Sequence, residues 1–123
     1  MTALADPAVD RDHAEVEHFY ARQMRLLDSG EADAWAATFT EGARGAVAAL
    51  AAEGETHRHW VGMLAVRPRG DGSLLAESYV QVVAVRPGEG PRLHLMCTCA
   101  DVFVRQDGEL LVRERVVTRD DRR

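Results

Sequence analysis

The sequence predicts an α+β domain in which N-terminal helices pack against a strongly curved antiparallel sheet. Three observations predict it. Up to about residue 53 the apolar residues recur at helical spacing, and beyond it they fall into long strand-like runs. Each connection between those runs is short and carries the Gly, Pro and Asp chemistry of hairpin loops. Strands joined so closely must run antiparallel, because a parallel crossover needs about a dozen residues. Helices followed by a four-strand meander make an α+β domain.

Residues 1–13 read as a flexible arm, since Pro7 and scattered charges interrupt any pattern. A single domain then spans residues 14–120. In the first helix Val16, Phe19, Tyr20, Met24 and Leu27 share one face. Gly30 suits the position just past its end. A shorter second helix places Trp35, Thr38 and Phe39 on one side, and a third candidate runs over residues 43–53. Strands are expected at residues 57–67, 74–86, 92–105 and 109–119. They are long against a usual five to six residues or so, and long strands in a small sheet must twist and coil. Helices laid across a coiled sheet leave a cone, and a ligand would sit there.

A chain of 123 residues fits one domain. The formal net charge is −5, and the 15 basic residues, all arginine, form no stripe, which argues against a nucleic-acid surface. A lysine-free, alanine-rich composition reads as codon usage in a high-GC bacterial genome. Cys97 and Cys99, two apart, would point the same way from one strand face, a poor start for a disulfide. No signal peptide and no run of membrane-spanning length is evident, so the expected location is cytoplasmic, with no membrane partner.

Several phrases stand out: residues 17–30 continuing to Trp35-Ala36-Ala37-Thr38-Phe39-Thr40, then His59-Trp60-Val61-Gly62-Met63, Leu93-His94, residues 101–105 and residues 110–120. Together they resemble the nuclear transport factor 2-like superfamily, and within it the SnoaL-like polyketide cyclase and dehydratase group of bacterial aromatic polyketide clusters. The resemblance spans about residues 15–120. It implies a cone-shaped α+β barrel around a small-molecule pocket. Members usually place a short strand or hairpin between the second and third helices. Here Thr40-Glu41-Gly42-Ala43-Arg44-Gly45 runs almost directly into the alanine-rich segment. Either that hairpin is lost or the sequence lacks a segment; a lost hairpin leaves one edge of the pocket more open.

Asp101 and His59 are the expected catalytic residues. Asp101 sits in an otherwise apolar strand, where a carboxylate is expensive unless paired or tuned for proton transfer. The resemblance implies an acid at this strand position; the bland alternative is pairing with Arg113 or Arg115 on the next strand. Histidine titrates near neutrality as a residue type, which suits proton shuttling, and similar fungal dehydratases use a histidine in a phrase like that around His59. Their second histidine has no counterpart here. A hydrogen-bonded structural role is the alternative for His59. Asp28 is either a pocket acid, as in some relatives, or a cap of the following helix. Tyr20, Trp35 and Tyr79 are candidate pocket aromatics, and period-2 alternation puts Met63 on the face of His57, His59 and Val61.

No metal is expected, because His57, His59, Cys97 and Cys99 sit in plain strand patterns rather than on knuckles. No phosphate loop, nucleotide fingerprint or nucleophile elbow is present. The expected function is therefore a cofactor-free cyclase or dehydratase acting by acid–base chemistry on a hydrophobic, aromatic polyketide-like substrate. The alternative is a non-catalytic module that binds a small molecule or a partner on the same scaffold. A homodimer through the sheet is expected in either case, with Arg92, His94, Met96, Thr98 and Val102 on the exposed face.

Overall fold

The computed structural model describes residues 7–44 and 54–122. The first helix, α1, spans Pro7–Asp28, so residues 7–13 are helical turns and not part of an arm. Proline at a first helical position has no needed N–H and a φ already suited to the helix, and Asp10 lies near the positive end of the dipole. His13 Nε2 bonds the Leu64 carbonyl at 3.2 Å, which ties this early segment to the sheet. At the other end Gly30, with φ 74°, lets Glu31 N donate to Leu26 O and Gly30 N to Leu27 O. That pair of bonds closes the helix in a Schellman motif.

The second helix, α2, is a single turn, Ala32–Ala36, capped by Glu31 without a side-chain bond. Asp28 therefore does not cap it. The third, α3, is described only at Glu41–Arg44; the rest of the expected helix over residues 43–53 lies outside the described residues. Residues 37–40 join α2 to α3. There Thr40 N donates to Val112 O and Val112 N to Thr38 O, a single parallel bridge where relatives were expected to carry a hairpin.

The sheet contains β1 (Thr56–Pro68), β2 (Leu74–Val85), β3 (Arg92–Gln106) and β4 (Glu109–Arg119), all antiparallel in the order β1-β2-β3-β4. These bounds agree closely with the sequence expectation. The last hairpin turns on Asp107 and Gly108 with φ of 53° and 82°, the doubly positive geometry that matches strand twist in a two-residue loop.

Three register shifts, at Met63-Leu64 in β1, at His94 in β3 and at Arg113 in β4, interrupt the pairing. A bulge bends its strand, adds twist and reverses the alternation beyond it. At one end of the inner face Val66, Leu74, Ala76, Phe103, Leu110 and Val112 pack against the helices. Phe103 meets Phe19 and Tyr20 edge-on at 4.9 and 5.7 Å, and Trp35 meets Phe39 at 5.1 Å. Toward the other end Val80, Cys97 and Cys99 form a separate small cluster with Leu95. These residues leave the space that becomes the site.

Candidate active site

That space is a cavity of about 750 Å³ between the helices and the inner sheet face. Its walls are mainly apolar, among them Met24, Leu27, Val80, Val82 and Leu95. The groups in it able to do chemistry include His59, Arg115, Trp35 and the two cysteines.

His59 belongs to the inward set of β1, and its position brings it to the end of α1. Its Nδ1 lies 2.6 Å from Asp28 Oδ1, while its backbone N donates to Asp28 Oδ2 at 3.1 Å. Asp28 is thus occupied on both oxygens by one residue, and the interaction fixes the imidazole's orientation. A carboxylate only accepts, so Nδ1 carries the proton and Nε2 of the neutral ring keeps its lone pair. His59 also lines a groove of about 730 Å³ between α1 and β1, so the ring stands in the wall between two spaces.

Asp101 is fully buried and lines neither space. Arg115, its direct neighbour across β3 and β4, donates from Nε to Oδ1 at 2.8 Å and from Nη2 to Oδ2 at 2.9 Å. Tyr20 donates its hydroxyl to Oδ2 at 2.5 Å, and Cys99 Sγ to Oδ1 at 3.4 Å. The pairing with Arg115 is what the geometry shows, and Asp101 reaches the cavity only at second hand, through Arg115 and Cys99, which both line it. Arg115 also donates from Nη2 to Gln23 Oε1, whose Nε2 donates to Thr38 Oγ1, which in turn donates to the Trp35 carbonyl. The guanidinium lies 5.0 Å from the Phe39 ring centre.

Burial dominates the electrostatics of this network. It pushes the Tyr20 hydroxyl far up, and the negative charge of Asp101 adds to that. Burial, then Asp101, raises the Cys99 thiol to about 12, and burial raises Cys97. Neither thiol is a nucleophile in this state. Burial works against the Arg115 charge, but the interactions with Asp101 outweigh it and the pKa rises. His57 finds Glu55 at 2.9 Å, with Arg86 at 3.1 Å and Arg92 also on that carboxylate. The two histidines of β1 therefore partner acids and not the cysteines, and Cys97 and Cys99 are free thiols.

Trp35 lines the cavity, whereas Tyr20 and Asp28 line only the groove between α1 and β1. Met63 does not join His59 on the inner face. It is 79% exposed at the β1 bulge, where Leu64 takes the inward place, and it edges the groove and a further hollow beside Tyr79, not the cavity. Tyr79 points from the outer sheet face and is 54% exposed, because β2 alternates without interruption and its inward residues are Ser78 and Val80. The expected exposed face also changes. The bulge at His94 puts that ring 5.2 Å from His57 and Arg92 on Glu55, and Val102 is buried. Leu93, Met96, Trp60, Tyr79 and Val116 are exposed large apolar residues on or beside the outer face. Gln23, Thr38 and Arg115 were not anticipated as a unit. The one signal was Gln23, a polar residue at the inward spacing set by Val16, Phe19 and Tyr20.

Helices over a coiled four-strand sheet, with a cavity between them, define an α+β cone of the nuclear transport factor 2-like kind. The model of the SnoaL-like domain family matches residues 10–55 and 41–116, and the chain belongs to that family. Among solved structures it is similar to ActVI-ORFA from Streptomyces coelicolor, at 34% identity and a TM-score of 0.77, covering 88% of this chain and 96% of that one. Aln2 from another Streptomyces strain is 30% identical with a TM-score of 0.79, over 97% and 96% of the two chains. A Catenulispora acidiphila protein in complex with S-DNPA is 29% identical with a TM-score of 0.76, over 92% and 96%. No curated protein sequence matches. No helix among the described residues is long and apolar enough to cross a membrane.

Proposed function

We propose that this chain is a cofactor-free cyclase- or dehydratase-type enzyme that works by acid–base chemistry on an aromatic polyketide-like intermediate of bacterial natural-product biosynthesis. The observation that carries the reading is the Asp28–His59 pair, which leaves His59 Nε2 as a base in the wall of an apolar cavity. Family membership and the likeness to ActVI-ORFA, Aln2 and the S-DNPA-binding relative support the substrate class.

In this scheme Nε2 takes a proton from an enolisable carbon of the substrate, and the Asp28 carboxylate stabilises the imidazolium that forms. For dehydration the carbon–oxygen bond of a β-hydroxyl then breaks. The imidazolium returns its proton to the departing oxygen, water leaves, and His59 is neutral again. For cyclisation the same proton goes to the oxygen that gains charge as the ring closes. The apolar walls hold the reactive chain in one folded conformation, which supplies orientation. Asp101 acts at one remove, as the positioning partner of Arg115.

The partner proposed for the outer sheet face is a second copy of this chain. Trp60, Tyr79 and Met96 are exposed there at 63%, 54% and 37%, an aromatic and aliphatic surface of the kind that interfaces use. The proposed location is cytoplasmic.

A test uses 1-tetralone, a bicyclic aryl ketone, in deuterated water. The protein should accelerate deuterium uptake at the carbon next to the carbonyl, read by proton NMR. His59→Gln should abolish the acceleration while leaving the circular dichroism spectrum unchanged. A His59→Gln protein that exchanges at the wild-type rate would overturn the assignment of the base.

A further inference from the structure

We infer that Arg115 is the substrate-binding residue of the cavity, holding a ketone oxygen of the ligand through the one guanidinium nitrogen that the fold leaves unpaired. This rests on the acid–base reading above and names the residue that takes the group the substrate brings to the site.

Arg115 Nε and Nη2 lie side by side on the Asp101 carboxylate, and Nη2 also donates to Gln23. A guanidinium is a rigid planar fork, so this grip turns Nη1 away from the carboxylate. Nη1 finds no acceptor among the described residues. It is not enclosed, however. The buried side-chain nitrogens and oxygens without a partner, among the described residues, are Trp35 Nε1 and Ser78 Oγ. The Arg115 side chain keeps 16% of its surface exposed, and of the cavity, the groove and the hollow beside Tyr79 it borders the cavity alone. Its guanidinium carbon sits over the Phe39 ring, another wall of the same cavity, 5.0 Å from the ring centre. Two N–H donors are thus held in fixed directions where a ligand has access.

The other polar side chains of the lining do not compete for that oxygen. Glu114 is 65% exposed with Arg113 Nε 3.9 Å away, and a carboxylate only accepts. It takes a hydroxyl of the ligand or water, never a ketone oxygen. Arg113 is itself 40% exposed, so a bond to it gains little over one to solvent. His59 Nε2 presents a lone pair, and Cys99 spends its S–H on Asp101. Asp101 also decides the charge of the ligand group. It already balances Arg115, and a ligand carboxylate at Nη1 would meet a second negative charge across the guanidinium. A ketone oxygen meets no such repulsion. In the reaction proposed above the α C–H bond breaks, its proton goes to His59 Nε2 and its electron pair delocalises onto the ketone oxygen. A donor fixed in advance stabilises that growing charge more than it stabilised the neutral carbonyl.

The experiment compares 1-tetralone, carrying ¹³C at the carbonyl, with tetralin, which has the same bicyclic skeleton without the oxygen. A hydrogen bond moves a carbonyl carbon downfield, so the bound ketone should resonate downfield of its position in hexane. Arg115→Lys keeps a cation against Asp101 and loses Nη1. It should return the bound signal toward the hexane position and weaken 1-tetralone binding about tenfold. Tetralin binding should weaken by less than about twofold. The double variant Asp101→Asn, Arg115→Met removes the donor without stranding a charge and should behave in the same way. A wild-type bound signal at the hexane position would overturn the inference, and so would no binding of the ketone up to its solubility limit. Unchanged 1-tetralone affinity in Arg115→Lys would overturn it as well. Equal losses for both probes in both variants would do the same, since Arg115 would then serve packing only. His59→Gln should keep the downfield shift and lose the deuterium exchange. The reverse pattern, exchange without the shift, sinks the Arg115 role and leaves the His59 role standing.

Discussion

Asp28 Oδ1 and His59 Nδ1 lie 2.6 Å apart although 31 residues separate them in the chain. One residue ends α1 and the other is the fourth of β1, so the pair exists only when the helix lies along the edge strand. The pairing fixes the tautomer of a base in the cavity wall, and from it follows the first expectation. Asp28→Asn offers Nδ1 an amide in place of a carboxylate and withdraws the charge that stabilises the imidazolium. Deuterium exchange into 1-tetralone should fall by about 10²–10⁴, with the fold retained by circular dichroism.

Asp101→Asn leaves Arg115 with its charge mostly buried and no counterion. Removing one partner of a buried pair costs about 3–5 kcal/mol, and urea denaturation should show a loss of that order. The double variant Asp101→Asn, Arg115→Met should recover part of it, because the stranded charge is gone. A double variant no more stable than Asp101→Asn alone would mean that the carboxylate matters for another reason.

High pH should weaken the fold through the same network. The Cys99 thiol is raised from the ordinary 9.0 to about 12, and the Tyr20 hydroxyl is raised in the same direction. The folded state favours the neutral form of each, so this stabilisation is complete below the unfolded thiol value near 9. It is lost as the pH rises toward about 12. Urea midpoints should therefore fall between about pH 9 and 11, and less steeply in Cys99→Ala. At about pH 8 a thiol reagent such as dithionitrobenzoate should leave Cys99 unmodified until the protein is unfolded.

The outer sheet face gives a prediction about assembly. At micromolar concentration sedimentation velocity should show a dimer, and Met96→Glu or Tyr79→Glu should shift it to monomer without loss of secondary structure. A charge placed in a desolvated apolar interface without a partner opposes association strongly. A wild-type monomer under those conditions would end the proposal of a sheet-mediated dimer.

The strand bounds and the antiparallel order are legible in the sequence, because hairpin chemistry is local. Asp107-Gly108 dictates a two-residue turn wherever it sits between strands, and Gly30 ends a helix for reasons contained in five residues or so. The start of α1 was not legible. Pro7 looked like a breaker, but at a first helical position it is a starter, and only the bond from His13 to Leu64 shows what the early turns rest on. Alternation served along β2 and failed across the bulges. Tyr79 was misplaced for a different reason, since its position on the outer face follows from Ser78 and Val80 being inside, a choice that period 2 leaves open.

The candidate site divides in the same way. Residue type and local pattern were enough to pick out the groups that could do chemistry: an acid in an apolar strand, a histidine at the head of another, an acid at a helix end and a tryptophan on a buried face. Their roles came from packing. Asp101 became the counterion of Arg115 because the register of β3 and β4 sets them directly opposite one another. Asp28 became the partner of His59 because α1 packs on β1. Hydrogen bonds and ion pairs act over about 3 Å, while the residues that make these lie up to 92 positions apart in the chain. No local pattern encodes a contact of that kind until the sheet has coiled and the helix has docked.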